Sequence, residues 1–218
     1  MNKLKFLYDV IKKLQAHEVI NGVATVEVQK DQGKIFYVRN QFQKNLVTMQ
    51  TTANITSEVD YEGKQVKHQS TTEFINQCPG NGMHYKLFRH MHHADGKCGG
   101  IKTKLTKLAF VFDLLNSIKV EEQEDKTILV TLEIAELSED IKALLQAKMS
   151  QAESHHHHNQ CCFMKELCGI EKGKLSFSMS VNENYEIEKI VVVFDGVQRH
   201  GEKEQHALDI VAELQLTT

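Results

Sequence analysis

The chain has 218 residues, of which 26 are Lys or Arg and 29 are Asp or Glu, giving a formal charge of −3 with neutral histidine. A chain of this length buries enough surface to fold without staples. The absence of any long single-sign block excludes the electrostatic footprint expected of nucleic-acid or anionic-membrane binding.

Residues 1–15 are amphipathic and carry Lys3, Lys5, Lys12 and Lys13, interrupted by Asp9, without the apolar run and small-residue cleavage site of a signal peptide. No segment reaches the run of about 18 apolar residues that spans a membrane as a helix. The expectation is a cytoplasmic protein with reduced thiols, or an exported one if the chain starts at a mature N-terminus. Five cysteines leave at least one thiol unpaired within a monomer.

Leu4, Leu7, Tyr8, Ile11 and Leu14 recur at helical spacing and predict an opening helix over residues 3–16. Alternation of Ala24, Val26 and Val28 with polar residues predicts a strand, which turns at Asp31-Gln32-Gly33-Lys34 and resumes over residues 35–38. Val47, Met49, Thr51, Ala53 and Ile55 alternate over a third strand. Tyr61-Glu62-Gly63-Lys64 then supplies a hairpin turn before a fourth strand over residues 65–75.

Leu105, Leu108, Phe112 and Leu115 predict a second helix over residues 103–117, and Ile128, Val130, Leu132 and Ile134 a strand. Ser138, Glu139 and Asp140 offer a cap and an acidic first turn for a third helix with Ile141, Leu144, Leu145 and Met149. Three strands close the chain. Leu175, Phe177, Met179 and Val181 alternate with serines, residues 187–194 are nearly all apolar, and Leu208, Ile210, Ala212, Leu214 and Leu216 alternate again.

This order predicts an α+β fold in a single domain over residues 1–218. Its sheet is expected to be antiparallel, strongly curved and half-barrel-like, with helices packed on one face. The opening helix around Leu7 and Ile11, the strand from Val47 to Ile55 and the three closing strands make the chain resemble the bacterial lipoprotein-carrier superfamily, the LolA-like half-barrels. The resemblance covers most of the chain as a pattern of elements and includes no diagnostic motif, so no functional residue is carried over. It implies a concave sheet with an apolar interior able to shelter an acyl chain. The same apolar faces are also what an ordinary packed core needs.

Thirteen of the seventeen His and Cys residues fall within two stretches, 78–98 and 155–168. Their lone pairs are ligands for borderline and soft transition metals. The first stretch holds Cys78, His84, His90, His92, His93 and Cys98 within a loop over residues 78–100, where the only proline and five of the twelve glycines also lie. His90 and His93 stand three apart, so a single helical turn would place them on one side, and with Cys78 and Cys98 they would offer a tetrahedral Cys2His2 set of the kind zinc accepts, with His84 in reserve. A disulfide between Cys78 and Cys98, worth about 3 kcal/mol for a loop of this length, and solvated histidines without a special role are the competing readings.

The second loop, residues 154–169, runs His155 to His158 and then Cys161, Cys162 and Cys168. A four-histidine run binds zinc, nickel or copper through adjustable imidazole pairs rather than a preorganised shell, with His155, His157 and Cys161 as the candidate ligands. An exposed polar linker followed by ordinary apolar cysteines is the plainer alternative.

No His-Glu-x-x-His, phosphate-binding glycine loop, Gly-x-Ser-x-Gly or paired CxxC is present. A metal-dependent hydrolase with Glu153 or Glu166 as base would need geometry that nothing in the sequence fixes. The expectation is a non-enzymatic binding protein with a transition-metal site, most simply zinc, built from the His/Cys-rich loops. The alternative is a carrier or sensor of an apolar, lipid-like ligand in the concavity of a LolA-like half-barrel. The expected partner is accordingly a metal ion or an apolar small molecule.

Overall fold

The structure, a computed structural model, describes residues 2–61, 63–75, 115–134, 170–200 and 204–217. The opening helix α1 (Lys3–Ala16) matches the predicted span. Asn2 caps it, its side-chain oxygen accepting from the amides of Leu4 at 3.1 Å and Lys5 at 3.2 Å, which satisfies two of the donors that a helix start leaves open.

Among the described residues nine strands follow: β1 (Val19–Lys30), β2 (Gly33–Asn45), β3 (Gln50–Tyr61), β4 (Lys64–Ile75), β5 (Lys119–Glu122), β6 (Ile128–Ile134), β7 (Ile170–Val181), β8 (Ile187–His200) and β9 (Glu204–Thr217). They form one sheet in the order β4-β3-β2-β1-β9-β8-β7-β6-β5, and every pairing is antiparallel. Strands consecutive in sequence therefore lie side by side, except that β4 and β5 form the two opposite edges, and the two runs meet at the centre, where β1 pairs with β9.

The antiparallel sheet is as expected; its shape is not. The described fold is mostly β with one helix, and the sheet is open and not strongly curled, with β4 and β5 as its two edges. The predicted helices around Leu108 and Leu144 lie outside the described residues, apart from residues 115–117, which are helical. Among the described residues no helix is long and apolar enough to cross a membrane.

Three local expectations are corrected. Val47 and Met49 belong to the turn between β2 and β3: Val47 is 73% exposed, Met49 has φ +60°, and Asn45 holds the turn by accepting from the amides of Val47 and Thr48. Beyond the turn the alternation holds, with Thr51 and Ala53 buried. The strand β5 was not anticipated, because Lys-Val-Glu-Glu offers one apolar residue and reads as loop. Helix α1 also turns a different stripe inward. Phe6 and Val10 are buried, whereas Leu4, Tyr8 and Ile11 are exposed, because a helix apolar around most of its circumference contains two candidate stripes and the sheet selects one.

The selected stripe builds the main core. Phe6 and Val10 join Val130, Met179 and Val181, with Leu7, Ile118, Val120, Phe177 and Ile190 packed around them. The Phe6 ring meets that of Tyr185 at a centroid distance of 5.9 Å. Full burial of side chains such as these contributes roughly 1.5–3 kcal/mol each against the entropy of ordering them. The helix is also tied at both ends. Lys3 donates to the carbonyl of Ile118 at 2.6 Å, and Lys13 pairs with Glu186 at 3.3 Å.

A second core of Val28, Phe194 and Leu208 lies near the centre of the sheet. Here the sheet supplies its own cover. Gly173 and Gly196 stand opposite each other on β7 and β8, and a Cβ at either position would fall on the ring of Phe194. On β1 and β2, Gly22 and Phe42 repeat the device, since a Cβ at Gly22 would stand 2.8 Å from the Phe42 ring. The opposite sheet face is polar and carries cross-strand ion pairs, Glu27–Lys34 at 2.9 Å, Glu58–Lys67 at 2.8 Å and Glu213–Lys189 at 2.9 Å.

Candidate functional site

The eight candidate metal ligands, Cys78, His84, His90, His93, Cys98, His155, His157 and Cys161, lie outside the described residues. The strand end before the first stretch and the strand start after the second are described. The first loop follows Ile75 at the end of β4. The second stretch, residues 154–169, runs directly into Ile170 at the start of β7.

Ile170 begins a row of register partners with chemical content. It faces Gln198 on β8, and Gln198 faces His206 on β9. His206 Nδ1 lies 2.6 Å from Asp31 Oδ2, in the tight turn between β1 and β2. That turn places both Asp31 (φ +49°) and Gln32 (φ +69°) in the left-handed region, as a two-residue hairpin turn of the primed type requires.

The turn is pinned to β9 on both sides of the carboxylate. Asp31 N–H donates to the Ala207 carbonyl at 3.0 Å, and Ala207 N–H donates to Asp31 Oδ1 at 2.9 Å. The hydrogen bond from His206, reinforced by the Ala207 amide, holds the Asp31 carboxyl below the usual aspartate range. An ionised carboxylate accepts, so Nδ1 carries the proton. When the ring is neutral, Nε2 is left as the nitrogen with a free lone pair.

A carboxylate that fixes the tautomer and orientation of a histidine is the usual support of a metal-ligating imidazole, and equally of a general base. The His206 side chain is 26% exposed and that of Asp31 54%, so the pair sits at the solvent boundary. Beside it Gln198 is 1% exposed, and its Oε1 has no hydrogen-bond partner within the described structure. Among the described residues no three His, Cys, Asp or Glu side chains stand together as a complete metal shell. A site here would need further ligands.

The sequence gives no local signal for this pair, because its members are 175 positions apart and meet only through the β1–β9 pairing. A second histidine, His17 at the end of α1, sits with Nε2 3.8 Å from Glu186, too far for a hydrogen bond. Its neighbours Lys13 and Asn182 both contact Glu186, which makes this cluster the anchor of the helix.

No family model matches the chain, and no curated protein matches it. Among solved structures it has a distant likeness to a protein described as an AttH of Nitrosomonas europaea, with 10% identity and a TM-score of 0.26. The match covers 94% of this chain and 53% of that one, so the chain spans about half the length of that protein. The S-type phycobiliprotein lyase CPES of Guillardia theta is similar over 97% of both chains, at 5% identity and a TM-score of 0.24. A beta-barrel-like protein of Brucella abortus follows at 7% identity, 92% and 98% coverage and a TM-score of 0.18. At these scores the likenesses carry no functional argument.

Proposed function

We propose that the protein is a non-enzymatic binding protein for a transition metal, most simply zinc, with ligands drawn from the loops at 78–100 and 154–169. The concentration of thirteen His and Cys residues in those two stretches carries the reading. The Asp31–His206 pair supports it by presenting an oriented imidazole in the strand row that begins where the second loop rejoins the sheet. The carrier alternative asks for a concave LolA-like half-barrel, and an open sheet that is not strongly curled offers it less.

Titration calorimetry with zinc at pH 7.5 and 5.5, together with metal content of the untagged protein, tests this. Coordination needs neutral imidazole and ionised thiolate, so affinity falls steeply as pH drops below the usual histidine range. Replacing Cys78, His90, His93 and Cys98 together abolishes the tight site, and replacing His155 to His158 removes weaker binding only. If His206 is a ligand, Asp31→Asn weakens zinc about 10–100-fold through the lost orientation. Unchanged affinity across these variants and both pH values overturns the proposal.

A further inference from the structure

The sheet's outer strand β4 is 12 residues long, and no described strand pairs with its free edge. Its side chains are exposed along nearly the whole length, including Val66 at 60%, Phe74 at 42% and Ile75 at 60%. A long open edge with apolar side chains is a template for another strand, which natural sheets ordinarily blunt. The other edge, β5, is blunted by its length of four residues and by Glu121 and Glu122.

We propose that β4 pairs antiparallel with β4 of a second copy, about a twofold axis normal to the sheet that passes midway between the two Ser70 residues. Such an axis maps each sheet face onto itself, so paired residues must share a face and the centre must fall on a residue. Centred on Ser70, the register sets Lys67 against Glu73 of the second copy on one face, and Val66 against Phe74 on the other, each twice. Gln69 then faces Thr71, His68 faces Thr72 and Gln65 faces Ile75, with no like charges opposed within 65–75. Shifting the centre to residue 69 or 71 removes both the Lys–Glu and the Val–Phe pairs, so the strand is self-complementary in one register.

The internal partners are compatible with this. Lys67 contacts Glu58 on β3 at 2.8 Å, and Glu73 accepts from Gln50 on β3. The pairing therefore extends polar rows that already cross β3 and β4, and sets Val66 against Phe74, which the monomer leaves to solvent, so that each partly covers the other. Cross-strand pairs of both kinds stabilise a sheet, and like charges in the same positions destabilise it.

Light scattering and sedimentation velocity on the full chain across a concentration series, with a chelator present to exclude metal bridging, test the proposal. The expected result is a monomer–dimer equilibrium weakened by salt. Lys67→Glu and Glu73→Lys singly convert both attractive pairs to repulsive ones and weaken the dimer about tenfold or more. The double variant K67E/E73K restores it. Circular dichroism shows which variants keep the sheet, and the rescue separates lost pairing from lost folding. A chain that stays monomeric, as it would if another segment covered the edge, or a dimer indifferent to the single reversals, overturns the proposal.

Discussion

Helix α1 divides the sheet into two unequal parts. Over β6, β7 and β8 the helix covers the apolar face, and Val130, Met179 and Val181 are buried to 1%, 7% and 0% exposure. At the β3–β4 wing the same alternation is present and Thr51 and Ala53 of β3 are buried, yet β4 is exposed along nearly its whole length, and the face it shares with them carries Val66, His68, Ser70, Thr72 and Phe74. Alternation fixes which residues share a face, whereas burial depends on what lies over that face. The residue types report part of the difference, because the covered face is written in Val, Phe and Met, whereas β4 sets His68, Ser70 and Thr72 between Val66 and Phe74.

The largest expected effect breaks the covered part. Phe6→Ala removes the side chain that joins α1 to β7, and is expected to cost about 3–5 kcal/mol in chemical denaturation. Thr72→Ala on the wing is expected to change stability by no more than about 0.5 kcal/mol. Equal effects would mean that the two parts are not energetically distinct.

A smaller effect is expected at the centre, where Phe194 does the covering. Gly173→Ala puts a Cβ on the ring of Phe194, a side chain that cannot swing away freely because it is buried against Val28 and Leu208. The expected loss is about 1–3 kcal/mol, read as a lowered denaturation midpoint. Relief by the added change Phe194→Leu would locate the strain at the ring.

The smallest effect concerns the anchor of the helix. Hydrogen bonds from Asn182 and then Lys13 hold the Glu186 carboxyl below its ordinary value of 4.5. A carboxylate with a depressed folded-state pKa contributes stability above its unfolded value, and that contribution is lost as pH falls through the folded value. Stability of the parent should therefore decline on acidification below about pH 4.5 more than that of Glu186→Gln. The group lies at the solvent boundary, so screening keeps the gap modest, and it is best read as a difference between two acid-unfolding curves.

Much of this fold was readable from residue patterns. The helix span, the antiparallel strands and both hairpin turns, Asp31-Gln32 and Gly63, follow from local periodicity and turn chemistry. What escaped is what local pattern does not encode. The inward stripe of α1 depends on a sheet formed by residues more than a hundred positions away. Strand β5 is held by pairing with β6 rather than by its own composition, and Asp31 meets His206 only because β1 lies beside β9. The His/Cys-rich loops are the reverse case, legible as chemistry while lying outside the described fold.

The pairing of β1 with β9 also sets the order in which the molecule can be assembled. Strands β1 to β4 are successive hairpins, and so are β7 to β9, so these two groups need only contacts close in sequence, while β6 reaches β7 across a longer connection. The seam between them joins Asn21 to Thr217 and Lys30 to Leu208, and so closes almost the whole chain into a loop. Such closures carry a high entropic cost and form slowly. During synthesis the β1 edge therefore stays open until β9 has emerged, and for that interval the sheet's eventual middle is its most vulnerable border.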